Sequence, residues 1–255
     1  MGLLASSGPF GELLAALLVA HLLSDFVLQT DRFADAKRRG LASGALLLHG
    51  AVTAACVAAV LLPLVPAGAA LATGLLLGGV HLGIDAGKIA LELRLWRERG
   101  TPLAGHLLDQ ALHVASLALA ARWLSGLAGS GLLPRSPAVV RGIGLALGLL
   151  AVTWGAGAFA FQVRRALGLA GRARKADPAR DPHWPTAARR VATLLRAASF
   201  VAGFLGAWPA IAAAAALAWL LARRRAARDP AFARCVRVEL PCGLAFVAVS
   251  VLLLA

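Results

Sequence analysis

Acidic residues are scarce in this chain, and so is charge of any kind. Charged residues make up 15% of the 255 positions, with 12 Asp+Glu against 26 Lys+Arg. Soluble domains carry about 25% charged residues, so an ordinary water-exposed surface is excluded for most of the chain. Cysteines number three, Cys56, Cys235 and Cys242, with no Cys-x-x-Cys, which excludes a paired disulfide framework. Aromatic residues are 6%, too few to interleave the basic residues as a nucleic-acid surface would require. No nucleic-acid partner is expected. A Gly-rich phosphate loop, a Gly-x-Ser-x-Gly elbow and a His-Glu-x-x-His motif are all missing. No basic region precedes the first apolar block, so a cleaved signal peptide is not expected.

What the chain has instead is apolar length. Hydrophobic residues are 60% and the mean hydropathy is +0.77. They fall in blocks near the ~20 residues a spanning helix needs, rich in Leu, Ala, Val and Gly and without the alternation of a membrane barrel. The expected fold class is all-α, a polytopic transmembrane helical bundle of about 6–8 membrane-spanning or re-entrant helices. Spans are expected at about 12–30, 41–64, 69–93, 103–127 and 141–163, with a final one at about 239–255. The block 191–222 is too long for one span and is broken at Gly206-Ala207-Trp208-Pro209, which predicts a hairpin of two shorter helices. The expected organisation is a four-helix core over 1–127, a fifth membrane helix in 128–163, a basic loop at 164–190, and the hairpin plus last helix in 191–255.

The net charge of +14 is unevenly placed. The gaps after the first, third and fifth spans are basic, and those after the second and fourth are not. Lys and Arg collect in cytoplasmic loops, so the N-terminus is expected outside. The basic loops are expected to face anionic lipid head groups. Ala-, Arg-, Gly- and Leu-heavy usage suggests a GC-rich bacterial genome, and hence the bacterial inner membrane.

Against this apolar background stands an ordered set of polar residues. Ionisable side chains at a helix centre cost about 2.5–3.5 kcal/mol each on insertion scales and are functional candidates by default. The first span carries His21, Asp25 and Gln29; the second, His49; the third, His81, Asp85 and Lys88; the fourth, His106, Asp109, Gln110 and His113. Residues four apart share a helix face. His21/Asp25, His81/Asp85 and Asp109/His113 are therefore three two-ligand faces, the pattern of a metal site inside a bundle. Mixed imidazole and carboxylate ligands suit a divalent transition metal, Zn, Fe or Mn. The expected metal ligands are His21, Asp25, His81, Asp85, Asp109 and His113, and the expected catalytic groups are Asp25, His49 and Lys88. All lie in the half of their spans nearest the basic gaps. The bland reading is that the pairs are hydrogen-bonding glue between helices, worth about 0.6 kcal/mol on average. Glu12 and Glu239 are expected at helix ends, Arg196 is expected to snorkel, and His183 is expected in solvent.

At His21-x-x-x-Asp25-Phe26-x-x-Gln29, Lys37, His49, His81-x-x-x-Asp85-x-x-Lys88 and Asp109-Gln110-x-x-His113 the sequence resembles the domain-of-unknown-function 3307 family of bacterial integral membrane proteins. The resemblance covers roughly the first half. The second half is similar in layout only, with Leu195-Arg196 where a Glu-Arg is expected and a last helix opening at Glu239. It implies the fold and the site, and no reaction, since the family has no assigned activity. The leading functional expectation is a metal-dependent membrane hydrolase of a lipid or phosphoester. A proton or metal-ion transporter and a non-catalytic membrane scaffold are the alternatives.

Overall fold

The computed structural model describes residues 8–37, 43–95, 103–127, 136–169, 186–207 and 227–254, with scattered positions between 209 and 224. Described residues are helical throughout, without strands. Contacts divide the chain into two compact units, residues 4–147 and 148–255.

In the first unit, α1 (Gly8–Leu22) runs through a Leu/Ala stretch and continues as a π-helical turn, Leu23–Val27. The wider turn is closed by Leu28 N–H on the Leu23 carbonyl at 2.9 Å. A short helix, α2 (Asp31–Lys37), follows, and the Phe33 N–H donates to Thr30 Oγ1 at 3.3 Å at its start. Next come α3 (Gly44–Leu61), N-capped by Ser43, α4 (Ala67–Leu95) and α5 (Leu103–Leu127). The Ser43 hydroxyl accepts from Leu46 N–H at 3.2 Å, satisfying one of the donors a helix start leaves free. Each long helix packs on two others: α1 on α3 and α5, α4 on α3 and α5. The result is a four-helix ring.

The α3–α4 pair is the tightest contact, because small residues meet along it. A Cβ added at Gly78 would lie 2.7 Å from both the Gly50 carbonyl oxygen and the Ala54 Cβ, and one at Gly74 would lie 2.6 Å from the Ala54 carbonyl oxygen. Small residues let membrane helices approach this closely. The buried apolar cluster of Leu13, Leu17, Leu61, Val65, Ala70, Leu77, Leu117 and Leu124 fills one half of the ring. On each helix it lies on the opposite side of the polar residues: before His21, after His49, before His81 and after His113. The bundle thus has one dry half and one polar half.

In the second unit, α6 (Pro137–Leu150), which begins in the first, is joined by a π-helical turn, Ala151–Gly155, to α7 (Ala156–Ala166). Then follow α8 (Thr186–Phe204) and α9 (Pro230–Leu254). The expected break near Gly206 is present. Gly206 has φ +78°, and Ala207 N–H returns to the Ala202 carbonyl at 2.7 Å, a helix end that glycine favours. The second arm of the expected hairpin and the loops at Arg38, Arg97, Lys175 and His183 lie outside the described residues.

The start of the last helix is a correction. It begins at Pro230, not near Glu239, and its first turn is capped by Asp229 Oδ1 accepting from Phe232 N–H at 3.0 Å. The basic residues Arg234 and Arg237 made this stretch read as loop. Phe232, Cys235 and Val236 form a buried stripe along its other face.

Among the described residues five helices are long and apolar enough to cross a membrane: Gly8–Val27, Gly44–Leu61, Ala67–Arg94, Pro137–Ala166 and Phe232–Leu254. This marks the chain as a polytopic membrane protein. The 25-residue α5 is long enough as well, at about 1.5 Å per residue. Its mean hydropathy is lowered by His106, Asp109, Gln110 and His113.

Candidate metal centre

The polar residues of all four helices meet at one place. His49 Nε2 lies 2.9 Å from His81 Nε2, and both lie close to Asp25 Oδ1, at 3.3 and 3.2 Å. The same two nitrogens are 3.6 and 3.7 Å from Asp85 Oδ2. The His21 and His113 rings stack with centroids 5.0 Å apart, and the His81 and His113 centroids are 4.3 Å apart. The three pairs expected from the four-residue spacing are present, at 3.8 Å for His21–Asp25 and 3.7 Å for His81–Asp85 and His113–Asp109. They face inward on a shared cluster, not outward on separate neighbours. His21, His49, His81, Asp85, Asp109 and His113 are all buried.

Local structure explains how each side chain arrives. Asp25 sits in the π-helical turn, which rotates the helix after His21 and brings its carboxylate to α3 and α4. Ser24, in the same turn, donates to the His21 carbonyl at 3.0 Å and to Asp25 Oδ1 at 3.2 Å. The short helix α2 lies over the polar end. From it Phe33 packs on the His49 ring, with centroids 6.0 Å apart, and Lys37 reaches inward.

Lys37 is the residue that the reading of the spans missed. In the sequence it falls in the basic gap after the first span; in the structure it is buried, with Nζ 2.5 Å from Asp85 Oδ2 and 2.6 Å from Gln29 Oε1. Its only signal was its place in the family pattern. Lys88 donates to Asp109 Oδ2 at 2.7 Å, joined there by Gln110 Nε2 at 3.0 Å. Three carboxylates therefore face two ammonium groups. Asp25 is paired with imidazoles and a hydroxyl and with neither ammonium, so with neutral imidazoles and ionised carboxylates the cluster carries one net negative charge.

Hydrogen bonding fixes one imidazole outright. His113 Nδ1 lies 2.9 Å from the Asp109 carbonyl, which can only accept, so the proton is on Nδ1. In the neutral ring Nε2 then carries the lone pair, and it is buried without a hydrogen-bond partner, as are His21 Nε2 and Asp109 Oδ1. Metal-ligating histidines characteristically donate the other ring N–H to a carbonyl or carboxylate in this way. Buried acceptors without donors are costly, and a cation removes the cost. Three sets could hold a metal ion, each with ligand atoms within 4.8 Å of one another: His21/Asp25/His81, His49/His81/Asp85 and Asp85/Asp109/His113. The donor chemistry and the net charge fit a divalent ion.

The second unit holds a separate polar contact. Arg164 Nη1 donates to Glu239 Oε1 at 2.5 Å and Arg196 Nη1 to Glu239 Oε2 at 3.5 Å. Arg196 Nε also donates to the Val152 carbonyl at 2.7 Å, in the π-helical turn. Glu239 and Arg196 are thus buried mid-helix partners. This corrects the expectation of an interfacial Glu239 and a snorkelling Arg196. Gly243 makes room, since a Cβ there would lie 3.0 Å from Arg196 Cδ.

No curated protein and no solved structure matches the chain. Residues 13–132, which carry every residue of the cluster, match the family model described as "Protein of unknown function (DUF3307)".

Proposed function

We propose that the protein is a membrane-embedded, metal-dependent hydrolase whose site lies toward the cytoplasmic face and acts on a lipid head group or phosphoester. The reading is carried by the convergence of imidazoles and carboxylates from four helices, with buried acceptor atoms left without donors. Glue between helices needs only satisfied pairs.

When bound, a divalent ion supplies Lewis acidity and brings the pKa of water toward about 7. The chain's own groups have distinct parts. His113 keeps Nε2 free to ligate by giving its Nδ1 proton to the Asp109 carbonyl. His21, His81, Asp25, Asp85 and Asp109 complete the proposed ligand set. His49 would act as general base, taking a proton at Nε2, where Asp25 Oδ1 at 3.3 Å would stabilise the imidazolium. Lys88 is the more open of the two lysines, with its side chain 26% exposed, and can meet an anionic oxygen beside Asp109. The reading of an enzyme over a transporter is supported by Leu13, Leu17, Leu61 and Leu124 filling the half of the ring beyond the cluster.

The test is elemental analysis of purified protein, wild type beside His81→Ala, followed by turnover of phosphatidylethanolamine/phosphatidylglycerol vesicles. Bound transition metal that falls in His81→Ala, with chelator-sensitive release of phosphate or head group, supports the reading. Metal-free wild type removes it. Losing the general base in His49→Ala is expected to slow turnover by about 10²–10⁴-fold.

A further inference from the structure

We infer that the cluster is built for two divalent ions and not one, with Asp85 shared between them; this rests on the metal-dependent reading above. The first position is bounded by His21, Asp25 and His81. The second is Asp85, Asp109 and His113, whose ligand atoms lie within 4.8 Å of one another.

The second position stands on its own observation. Asp109 and His113 are 5% and 2% exposed, and both present an acceptor that nothing satisfies: Asp109 Oδ1 and His113 Nε2. The other atom of each side chain is already committed, Asp109 Oδ2 to Lys88 and Gln110, and His113 Nδ1 to the Asp109 carbonyl. Neither free atom can be served by a protein donor moving within the same side chain. Both acceptors project from adjacent turns of α5 toward Asp85 on α4. A cation is the group that satisfies two such acceptors beside a second carboxylate.

The first position has its own candidate set, His21, Asp25 and His81, in which neither Asp109 nor His113 takes part. His49 and His81 nitrogens gather around Asp25 Oδ1 at 3.3 and 3.2 Å, and His21 brings a further unsatisfied Nε2. Asp85 belongs to a candidate set on each side, which is the place of a bridging carboxylate. Two-metal sites hold their ions about 3.5–4 Å apart and clamp the attacking and leaving oxygens of a displacement. Lys37 on Asp85 and Lys88 on Asp109 are then charge placeholders. Each ammonium neutralises a ligand carboxylate until an ion does so, and each stands ready beside an anionic substrate oxygen afterwards. A phosphoester is the substrate class that such a pair of ions and flanking ammonium groups would take.

The experiment loads the purified full chain in detergent with manganese(II) and measures ions per chain and the electron paramagnetic resonance spectrum. Two ions per chain with an exchange-coupled spectrum are expected in the wild type. Asp109→Asn and His113→Ala are expected to fall to one ion with an uncoupled spectrum. One ion in the wild type, retained in both variants, would overturn the second position and leave a single-ion enzyme standing. No ion at all would overturn both. Two ions persisting in both variants would also overturn the assignment. Should the variants fail to fold, the wild-type stoichiometry and coupling decide alone.

Discussion

Lys37 shows how much a single side chain can carry here. Its ammonium lies 2.5 Å from Asp85 Oδ2 in a buried place. Removing one partner of a buried ion pair strands the other, at about 3–5 kcal/mol. Lys37→Met is therefore expected to destabilise the purified protein by that order. Lys37→Met combined with Asp85→Asn is expected to cost less than the sum of the two single changes, because neither charge is then left alone. Unfolding in detergent measures all three variants, and strict additivity would show that the pair is not coupled. The site residues at i and i+4 were legible in the sequence because helical periodicity alone turns them to one face. Lys37 was not, because it enters across a π-helical turn and a second short helix, where no period survives. Glu239 and Arg196 were hidden for a related reason: nothing local separates an arginine that meets a buried carboxylate from one that meets a phosphate head group.

At the scale of helices, the α3–α4 contact sets the spacing of the site, since His49 and His81 come from its two sides. Two adjacent glycines make the point testable. A Cβ at Gly78 would meet the Gly50 carbonyl oxygen at 2.7 Å, whereas at Gly79 nothing lies within 4 Å. Gly78→Ala is expected to cost about 1–3 kcal/mol through overpacking and to lower metal content by separating His49 from His81. Gly79→Ala is expected to be neutral, or to gain up to about 1 kcal/mol from helix propensity. Equal behaviour of the two variants would mean the close approach does not hold the pair together. The long apolar helices were legible because length and composition suffice for a span. The start of α9 was not, because Arg234 and Arg237 mask a buried stripe of Phe232, Cys235 and Val236 that alternates with them.

For the whole molecule the open question is which face of the membrane the polar half meets. We propose the cytoplasmic face, with the N-terminus outside. The structure places the chemistry toward the C-terminal ends of α1 and α4 and the N-terminal ends of α3 and α5, the ends flanked in sequence by Arg38-Arg39 and by Arg94, Arg97 and Arg99. Lys37 no longer counts as a topology signal, because its charge is spent on Asp85. The arginines around it still do, and the gap after α3, Leu62–Pro66, carries no charge. Basic residues close to span ends are retained on the cytoplasmic side. Replacing Cys56, Cys235 and Cys242 and then placing single cysteines at Arg38, Arg97 and Lys175 separates the alternatives. All three are expected to resist a membrane-impermeant thiol reagent in intact cells and to react after permeabilisation. A cysteine at Ala67, the first residue of α4, is expected to label from outside. Labelling of Arg38 and Arg97 together in intact cells would invert the site to the outer face and end the proposal of a cytoplasmic substrate. Labelling of Lys175 alone would leave the site where it is and show instead that the segment Pro137–Ala166 does not cross.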